Sequence, residues 1–503
     1  MFNNSLKSIV ILGGGSAGWM TAAALSSLLD TNKVSVTVVE SEDIGTVGVG
    51  EATIPDIINF NRILGISEEE FMKATHATFK LGIEFNNWGK QGDSYFHPFG
   101  THGVDMNGID FHQYWLYLQS KGDRSKLEDY SINALAAEDN KFCLSNNDPR
   151  SPLSLIRHAY HFDATRYAHF LRDYAEKRGV KRIEGKVQDV QQDSETGHVT
   201  SLILESEQSV SGEFFFDCTG FRSLLLTKTL GVPFNDWSHW LPCDSALAVP
   251  SERAGPLLPY TKSTAKSSGW QWRIPTQDRV GNGHIYASDF ISDSDAEKSL
   301  LDDLDGAPLA DPRQLRFKTG CLEKFWEKNC IAIGLSAGFL EPLESTSIYL
   351  IQMGISRFIA LFPDASLSDV IRDEYNRHMR QQFDQVRDFI ILHYCATERT
   401  DSDFWNYCRT MSIPESLERK IDLFKQGGRI FRYEDELFAT PSWLAVMIGQ
   451  NISPVIGDPI VASLPFEQVE KSLKSMNMGM KRTTAQMPSH QDFINQYCKA
   501  PAS

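Results

Sequence analysis

Three glycines near the start of the chain have the spacing of a nucleotide-binding loop. Gly13, Gly15 and Gly18 form the pattern GxGxxG, with Ser16 and Ala17 between the last two. Glycines at these positions allow a tight turn and a close approach of the backbone to a pyrophosphate. Glu40 follows 22 residues after Gly18, where a carboxylate would accept hydrogen bonds from ribose hydroxyls. The acid disfavours a 2′-phosphate, so these residues predict FAD or NAD without separating the two.

The elements around this loop are those that such a site needs. Residues 8–12 and 34–40 are β-branched runs, and residues 21–29 have the composition of a helix. This order predicts a βαβ unit of a parallel sheet, with a helix N-terminus facing the phosphates. Further strands are expected at 79–85, 199–205, 213–218, 269–274, 284–290 and 330–334, and a helix capped by its first residue, Asp163, is expected over 163–179.

After residue 345 the strand signals nearly vanish. Helical spacing extends over 345–362, 368–395 and 414–426. The sequence therefore predicts an α/β fold, in which a Rossmann-like, sheet-containing module spans 1–345 and binds the dinucleotide. A mostly helical region, 346–503, is expected to pack on that module, because no Gly/Ser/Pro-rich linker divides them.

Composition narrows the class of protein. The 503 residues include 65 acidic and 49 basic side chains, and the resulting charge of −16 disfavours nucleic acid and anionic membranes as partners. The eight cysteines show no CxxC spacing, and no apolar stretch approaches the length of about 20 residues that spans a bilayer. We expect a soluble, cytoplasmic protein. The histidines form no convincing metal-binding set, so no metal is expected.

Four further segments resemble motifs of the flavin-dependent tryptophan halogenases. GWQWRIP (269–275) matches their GWxWxIP motif, and VGVGEATIP (47–55) looks like their second flavin-contacting loop. TFKLGIEFNNW (78–88) resembles the segment with their catalytic lysine, and GFLEPLESTSIYLIQ (338–352) the segment with their catalytic glutamate. Two tryptophans at that spacing make the first match highly specific. The resemblance runs from the first strand to about residue 360, beyond which only the helical character is shared.

This resemblance implies an FAD-binding fold of the flavin-monooxygenase type and a defined chemistry. A separate flavin reductase would supply reduced FAD, which reacts with oxygen to a flavin hydroperoxide, and chloride or bromide would be oxidised there to hypohalous acid. By motif, Lys80 would hold the electrophilic halogen, as a haloamine or a hydrogen-bonded acid, beside an aromatic substrate, with Glu344 as its paired carboxylate. The implied FAD contacts are Gly13, Gly15, Ser16, Ala17, Gly18, Glu40, Val49, Gly50, Glu51, Ala52, Val187 and Leu335.

The residue pattern alone gives Lys80 and Glu344 ordinary structural roles. Alternation in 79–85 places Lys80 and Glu84 opposite an apolar face, which alone predicts a solvated lysine. Glu344 precedes the predicted helix 345–362, where a simple capping role would suffice. The free N–H groups of Thr346 and Ser347 form an anion pocket, at the backbone positions where the family is expected to bind halide. The family sequence there is ESTG, so Ser347 leaves halide affinity and preference open.

The substrate side is less well defined. His97 and Phe99 resemble substrate-flanking positions of tryptophan-specific members, although a loop histidine beside a core aromatic explains them equally well. Trp443 lies in 435–454, where those members carry a tyrosine pair and a glutamate that grip the amino acid, and this chain has no tyrosine pair there. An unpaired zwitterion is costly to desolvate, so we expect an indole, pyrrole, phenol or larger indole-bearing molecule rather than free tryptophan.

Other functions remain open at this stage. Trp270 and Trp272 face one side of a strand, as core residues or, by resemblance, as a wall that keeps substrate away from the flavin. A flavin-dependent aromatic hydroxylase would leave GWQWRIP, Lys80 and Glu344 without a role. An NAD-dependent dehydrogenase is disfavoured by the GVGEATIP loop and by IAIGLSAGF (331–339), and a non-catalytic FAD-binding protein leaves Lys80 unexplained. The regiochemistry, the identity of the reductase and the oligomeric state, monomer or dimer, are not fixed by the sequence.

Overall fold

The computed structural model describes residues 6–44, 50–433 and 435–501. The chain forms two compact units, each assembled from three segments. Unit 1 comprises Met1–His76, Phe162–His239 and Arg316–Asp384, and unit 2 comprises Ala77–His161, Trp240–Leu315 and Gln385–Ser503. Residue 345 lies inside the last segment of unit 1. The boundaries of the compact units therefore do not coincide with residue 345, where the sequence predicts that strands give way to helices.

The strands of the described residues are numbered in chain order. They are β1 (Ser8–Leu12), β2 (Ser35–Glu40), β3 (Gly50–Ala52), β4 (Thr78–Lys80), β5 (Gly82–Asn86), β6 (Ser94–Pro98), β7 (Ala159–Asp163), β8 (Lys181–Glu184), β9 (Val187–Gln192), β10 (Val199–Leu204), β11 (Ser209–Ser211), β12 (Phe214–Asp217), β13 (Phe234–Asp236), β14 (Ser245–Ser251), β15 (Thr261–Lys266), β16 (Gly269–Pro275), β17 (Val280–Tyr286), β18 (Arg313–Arg316), β19 (Gly320–Leu322), β20 (Trp326–Glu327), β21 (Cys330–Ala332) and β22 (Gly338–Phe339).

The helices are numbered in the same way. In the described part of the chain, every element that follows β22 is a helix. The helices are α1 (Ser16–Leu28), α2 (Asp56–Ile63), α3 (Glu68–Thr75), α4 (Phe111–Ser120), α5 (Ile132–Glu138), α6 (Ala164–Glu176), α7 (Asp293–Asp302), α8 (Ser347–Ala360), α9 (Asp369–Cys395), α10 (Asp403–Thr410), α11 (Glu415–Gly427), α12 (Thr440–Gly449), α13 (Pro459–Ala462), α14 (Phe466–Ala485) and α15 (His490–Tyr497).

Unit 1 contains a six-stranded sheet with the order β20-β21-β12-β1-β2-β8. Strand β1 pairs in parallel with β2 on one side and with β12 on the other. Its residues Ile9, Val10 and Ile11 are fully buried, as expected for a parallel sheet that is covered on both faces. The predicted βαβ unit is confirmed, and α1 begins at Ser16, earlier than the helical composition of 21–29 predicts.

Unit 2 contains a sheet with the order β14-β17-β16-β15-β5-β6 and β18 at its edge. The GWQWRIP segment is β16, and it pairs antiparallel with β15 and β17. The strand predicted at 284–290 is misplaced, because the structure has it at Val280–Tyr286. Gly283 resembles a turn residue in the sequence, but it lies opposite Trp272, whose indole ring fills the space that a β-carbon would need.

The strand predicted at 79–85 is divided in two at Leu81. Residues Thr78–Lys80 form β4, which pairs antiparallel with β7, and Gly82–Asn86 form β5 of the larger sheet. The predicted helix over 163–179 is confirmed as α6, where the Asp163 carboxylate accepts the Arg166 N–H at 3.0 Å.

All eight cysteines are free thiols in this structure. None of the helices in the described ranges is both long and apolar enough to cross a membrane.

Candidate active site

The glycine-rich loop joins β1 to α1 in unit 1. Gly13 has φ +111°, and a β-carbon there would collide with the carbonyl of Cys218, which directly follows the adjacent strand β12. A β-carbon on Gly18 would collide with the Gly13 carbonyl, so these two glycines let the helix and strands approach closely. A β-carbon on Gly15, in contrast, would have no heavy atom within 4 Å among the residues that the structure describes, its chain neighbours aside. The loop therefore packs closely at its two ends and leaves the backbone of its middle glycine open to a ligand.

The first turn of α1 offers backbone donors without an intrahelical partner beside this opening. The helix has Gly15 as its N-cap without a side-chain cap, and its first turn carries no acidic residue. The first intrahelical bond runs from the Trp19 N–H to the Gly15 carbonyl at 3.1 Å. The N–H groups of Ser16, Ala17 and Gly18 precede that bond and have no partner within the helix. Such N–H groups with the partial positive charge of the helix end suit a pyrophosphate.

Glu40, at the end of β2, lies directly against the loop. A β-carbon on Gly14 would overlap the Glu40 carboxylate. The glycine at this position therefore makes room for Glu40, not only for a ligand. The carboxylate accepts the Trp19 indole N–H at 3.2 Å and pairs with the Arg182 guanidinium on β8. Arg182 fixes the orientation of the acid, and no motif in the sequence singles it out. The donor N–H groups and the oriented acid fit the pyrophosphate and ribose of FAD.

The segment predicted to form a second flavin-contacting loop, 47–55, is described only in part. Val49 lies outside the described residues, whereas Gly50, Glu51 and Ala52 form β3. Burial raises the pKa of Glu51 to about 7. A carboxyl group that is partly neutral near pH 7 can donate a hydrogen bond as well as accept one.

Leu335 follows a second close approach to α1. Gly334 has φ +70°, and a β-carbon there would press against the Ala17 side chain. The IAIGLSAGF segment therefore returns to the glycine loop within unit 1. Val187, the remaining residue predicted to contact FAD, begins β9 and pairs with Leu204 of β10.

Glu344 and the predicted halide residues surround the start of α8. Glu344 is 1% exposed, and Ser345 has a left-handed backbone with φ +60°. Thr346 is the N-cap of α8, and its buried hydroxyl has no hydrogen-bond partner among the described residues. Ser347 is the first helical residue and its φ is not positive. The backbone therefore accommodates a β-carbon at the position where the family sequence has glycine. A helix N-terminus with an unsatisfied hydroxyl is chemically suited to an anion.

Lys80 is completely buried in unit 2, with 0% of its surface exposed. The solvated position predicted by alternation alone is therefore wrong. Lys80 pairs with Ala159 across β4 and β7, and its ammonium nitrogen lies 5.1 Å from the centre of the Phe99 ring. Alternation describes one strand and does not show which layers cover its second face. A buried lysine beside an aromatic ring is unusual enough to indicate function.

The other residues predicted to lie on the substrate side, His97 and Trp443, belong to a row of aromatic side chains in unit 2. The His97 ring lies 5.9 Å from the Phe389 ring, and Phe389 makes an edge contact of 4.9 Å with Trp443. The Trp443 indole N–H donates to the Phe438 carbonyl at 3.1 Å, and the Phe438 ring stacks on Phe389 at 3.7 Å. The structure thus brings His97 and Trp443 to the same aromatic residue. Phe389 shows only helical spacing in the sequence, so it could not be predicted.

Trp270 and Trp272 lie on one face of β16, with ring centres 6.0 Å apart, and both are buried. Trp88 extends this aromatic layer, 6.4 Å from Trp270. Across the described ranges, no cluster of three or more His, Cys, Asp or Glu side chains is placed to hold a metal ion.

The family model of the tryptophan halogenases matches residues 8–465, which is most of the chain. The chain belongs to the tryptophan halogenase family. Tryptophan 6-halogenase SttH from Streptomyces toxytricini is 34% identical to it, over 97% of each chain. Structures of flavin-dependent halogenases are among its relatives, so the chain is a flavin-dependent enzyme of this family.

Solved halogenase structures agree with this assignment. A flavin-dependent halogenase from Xanthomonas campestris is 44% identical, covers 99% of this chain and 100% of its own, and superposes with a TM-score of 0.96. BrvH, a flavin-dependent halogenase from Brevundimonas sp. BAL3, is 45% identical with the same coverage and a TM-score of 0.95. Their agreement over the whole chain includes the helical C-terminal part, where the sequence resemblance was weakest.

Proposed function

We propose that this halogenase oxidises chloride or bromide with reduced FAD and oxygen, and delivers the resulting hypohalous acid through Lys80 to an electron-rich aromatic substrate. The main support is the complete burial of Lys80 against Phe99 in a chain of this family. A lysine kept only for solubility would be exposed, because burying an ammonium group costs several kcal/mol.

Bound reduced FAD would supply, with oxygen, the two-electron oxidation of the halide. The N–H groups at the start of α1 would hold its pyrophosphate and Glu40 its ribose, with Gly50, Glu51, Ala52, Val187 and Leu335 as further contacts. A separate flavin reductase would provide the reduced cofactor. The halide would bind at the N–H groups of Thr346 and Ser347, next to the buried Thr346 hydroxyl.

At Lys80 the halogen would pass from oxygen to carbon. If the neutral amine attacks hypohalous acid, an N–halogen bond forms, the oxygen–halogen bond breaks and water leaves. The aromatic ring then attacks that halogen, the amine is restored and the ring loses one proton. Alternatively, Lys80 holds the intact acid by a hydrogen bond during the same substitution. Glu344 is proposed as the accompanying catalytic carboxylate, and the Trp270 and Trp272 layer as the wall that discourages direct hydroxylation.

The proposed substrate is an indole-type aromatic other than free tryptophan. SttH is a tryptophan 6-halogenase, but this chain has no charged side chain from residue 440 to 457, which includes α12. The nearest carboxylate before that stretch, Glu436, is buried and already paired with Lys420 at 3.0 Å. No charged group of that helix is thus available to bind an amino-acid zwitterion, while the His97, Phe389 and Trp443 rings offer an apolar aromatic surface.

The test is product analysis with reduced FAD, oxygen and indole, with and without chloride or bromide. We expect halogenated product only with halide, and Lys80→Ala should abolish it while flavin oxidation continues. Lys262→Ala is the matched control, because Lys262 is partly exposed and pairs with Glu84 at 3.6 Å. Halogenation that survives Lys80→Ala would refute the mechanism, and oxygenated product without halide would identify a hydroxylase. Tryptophan as the best substrate by a wide margin would refute the substrate assignment.

A further inference from the structure

A buried chain of hydrogen bonds runs behind Lys80 within unit 2. The Thr78 hydroxyl, on β4, donates to the carbonyl of Pro275 at 2.7 Å. His161, on β7, contacts this hydroxyl through Nδ1 at 3.1 Å and the Thr261 hydroxyl through Nε2 at 2.9 Å. The chain therefore ties together three strands, β4, β7 and β15, and the last residue of the GWQWRIP strand.

The direction of these bonds shows which ring nitrogen of the histidine carries a proton. Thr78 uses its one hydroxyl proton on Pro275, so it can only accept from His161, and Nδ1 of His161 must carry a proton. Burial lowers the pKa of His161 well below its usual range and so favours the neutral imidazole, in which Nε2 accepts from the Thr261 hydroxyl.

Lys80 shares a face with this chain. Residues two apart on a strand point to the same side, so Thr78 and Lys80 project together, and His161 lies opposite Thr78 in the β4–β7 register. Ala159, opposite Lys80, is small enough to leave room for the lysine stem. A positive charge on Lys80 or on His490 would lower the pKa of His161 further.

We propose that His161 is the positioning residue of Lys80. It anchors β4 through Thr78 while adding no charge, so that the lysine nitrogen is held at one place over Phe99. This inference rests on the proposed role of Lys80. The expected effect on the rate is large, since a displacement of about 1 Å in a reacting group such as the Lys80 nitrogen costs on the order of 100-fold in rate. Thr78 is the sensitive point, because its hydroxyl is the link between His161 and Pro275.

The test compares Thr78→Val with Thr78→Ser. Valine keeps the shape but removes the hydroxyl, whereas serine keeps the hydroxyl and removes a methyl group. We expect Thr78→Val to lower the halogenated product formed per oxygen consumed by at least tenfold, with the KM for indole changed less than twofold. Thr78→Ser should retain at least half of the wild-type ratio. His158→Gln is the matched control with an unchanged ratio, since His158 points to the opposite side, near Phe79 and Phe142.

Thermal unfolding and the rate of flavin oxidation separate positioning from loss of fold. If Thr78→Ser lowers the product ratio as much as Thr78→Val, the hydroxyl has no specific role and the inference is refuted. Equal ratios in wild type and Thr78→Val refute it as well. Failure of the proposed function is recognised independently, because Lys80→Ala would then halogenate as well as wild type does.

Discussion

Helix α15 should make the stability of the protein dependent on pH, because its first residue is hydrogen-bonded to β4, the strand that carries Lys80. His490, its first residue, is 0% exposed and accepts the Phe79 N–H through Nε2 at 3.2 Å. Its Nδ1 faces the Leu257 carbonyl at 3.1 Å and must therefore carry the proton. Burial lowers the pKa of His490 to about 4, partly offset by that carbonyl and reinforced by Arg253.

The sign and size follow from linkage. Well above pH 6.5 the histidine is neutral in both the folded and the unfolded chain, so it makes no pH-dependent contribution there. As the pH falls from 6.5 to 4, the unfolded chain binds a proton that the folded chain does not, and stability is lost. A pKa difference of about 2.5 corresponds to about 3 kcal/mol when titration is complete, and to about 2 kcal/mol at pH 5.

The assay is urea unfolding of wild type and His490→Gln at pH 7.5 and pH 5.0, followed by near-UV circular dichroism. Glutamine can still accept the Phe79 N–H but does not titrate in this range. All other groups titrate in both proteins, so their effects cancel in the difference apart from the electrostatic coupling of His161 to His490, which the substitution removes. We expect wild type to lose about 2 kcal/mol more than the variant between the two pH values. Equal losses would show that His490 is not held neutral by burial, and would refute the reasoning.

Three further substitutions test other parts of the structure. Gly283→Ala places a methyl group in the Trp272 ring and should destabilise the protein by about 1–3 kcal/mol in the same unfolding assay. Arg182→Gln releases Glu40 and should weaken FAD binding about tenfold, measured by quenching of flavin fluorescence. Ser347→Gly leaves the helix N–H groups in place, so the KM for bromide and chloride should change less than about threefold. A larger change would mean that the serine side chain itself acts on the halide.

Two substitutions are matched controls for Gly283→Ala and Arg182→Gln. Gly479→Ala, in α14, meets no heavy atom within 4 Å and should stabilise the protein by about 0.5–1 kcal/mol. Arg178→Gln removes a guanidinium that stacks on Tyr174 at 3.5 Å, and it should leave FAD affinity unchanged. A loss of FAD affinity in both arginine variants would indicate a general charge effect instead of orientation of Glu40.

The parts of the fold that the sequence predicts correctly are those with local signals. Gly13 to Gly18, the two β-branched runs and the acid at position 40 all fall within about 30 residues, and the Asp163 cap lies next to its helix. Propensity and spacing act over such distances. Gly283 shows the converse. A glycine normally indicates a turn, and only the register with Trp272 explains why one lies inside a strand.

The environment of Lys80 depends on residues far away in the chain. Its strand is held by Pro275 through Thr78, 197 residues along the chain, and by His490 through Phe79, 411 residues along. No local pattern contains that information. The C-terminal residues also lie beyond the family motifs, so sequence comparison with those motifs could not assign them to the lysine strand either.

The motif segments are where the structure departs from ordinary local rules. Lys80 is a buried ionisable side chain on a strand whose alternation predicts exposure. Ser345 holds a left-handed backbone that favours glycine, and the Thr346 hydroxyl is buried without a hydrogen bond among the described residues. Each of these features costs on the order of 1–3 kcal/mol. Stability alone would not select such positions, and local conflicts of this kind concentrate at functional sites. They support placing the halide and halogen-transfer chemistry in these two segments independently of family membership.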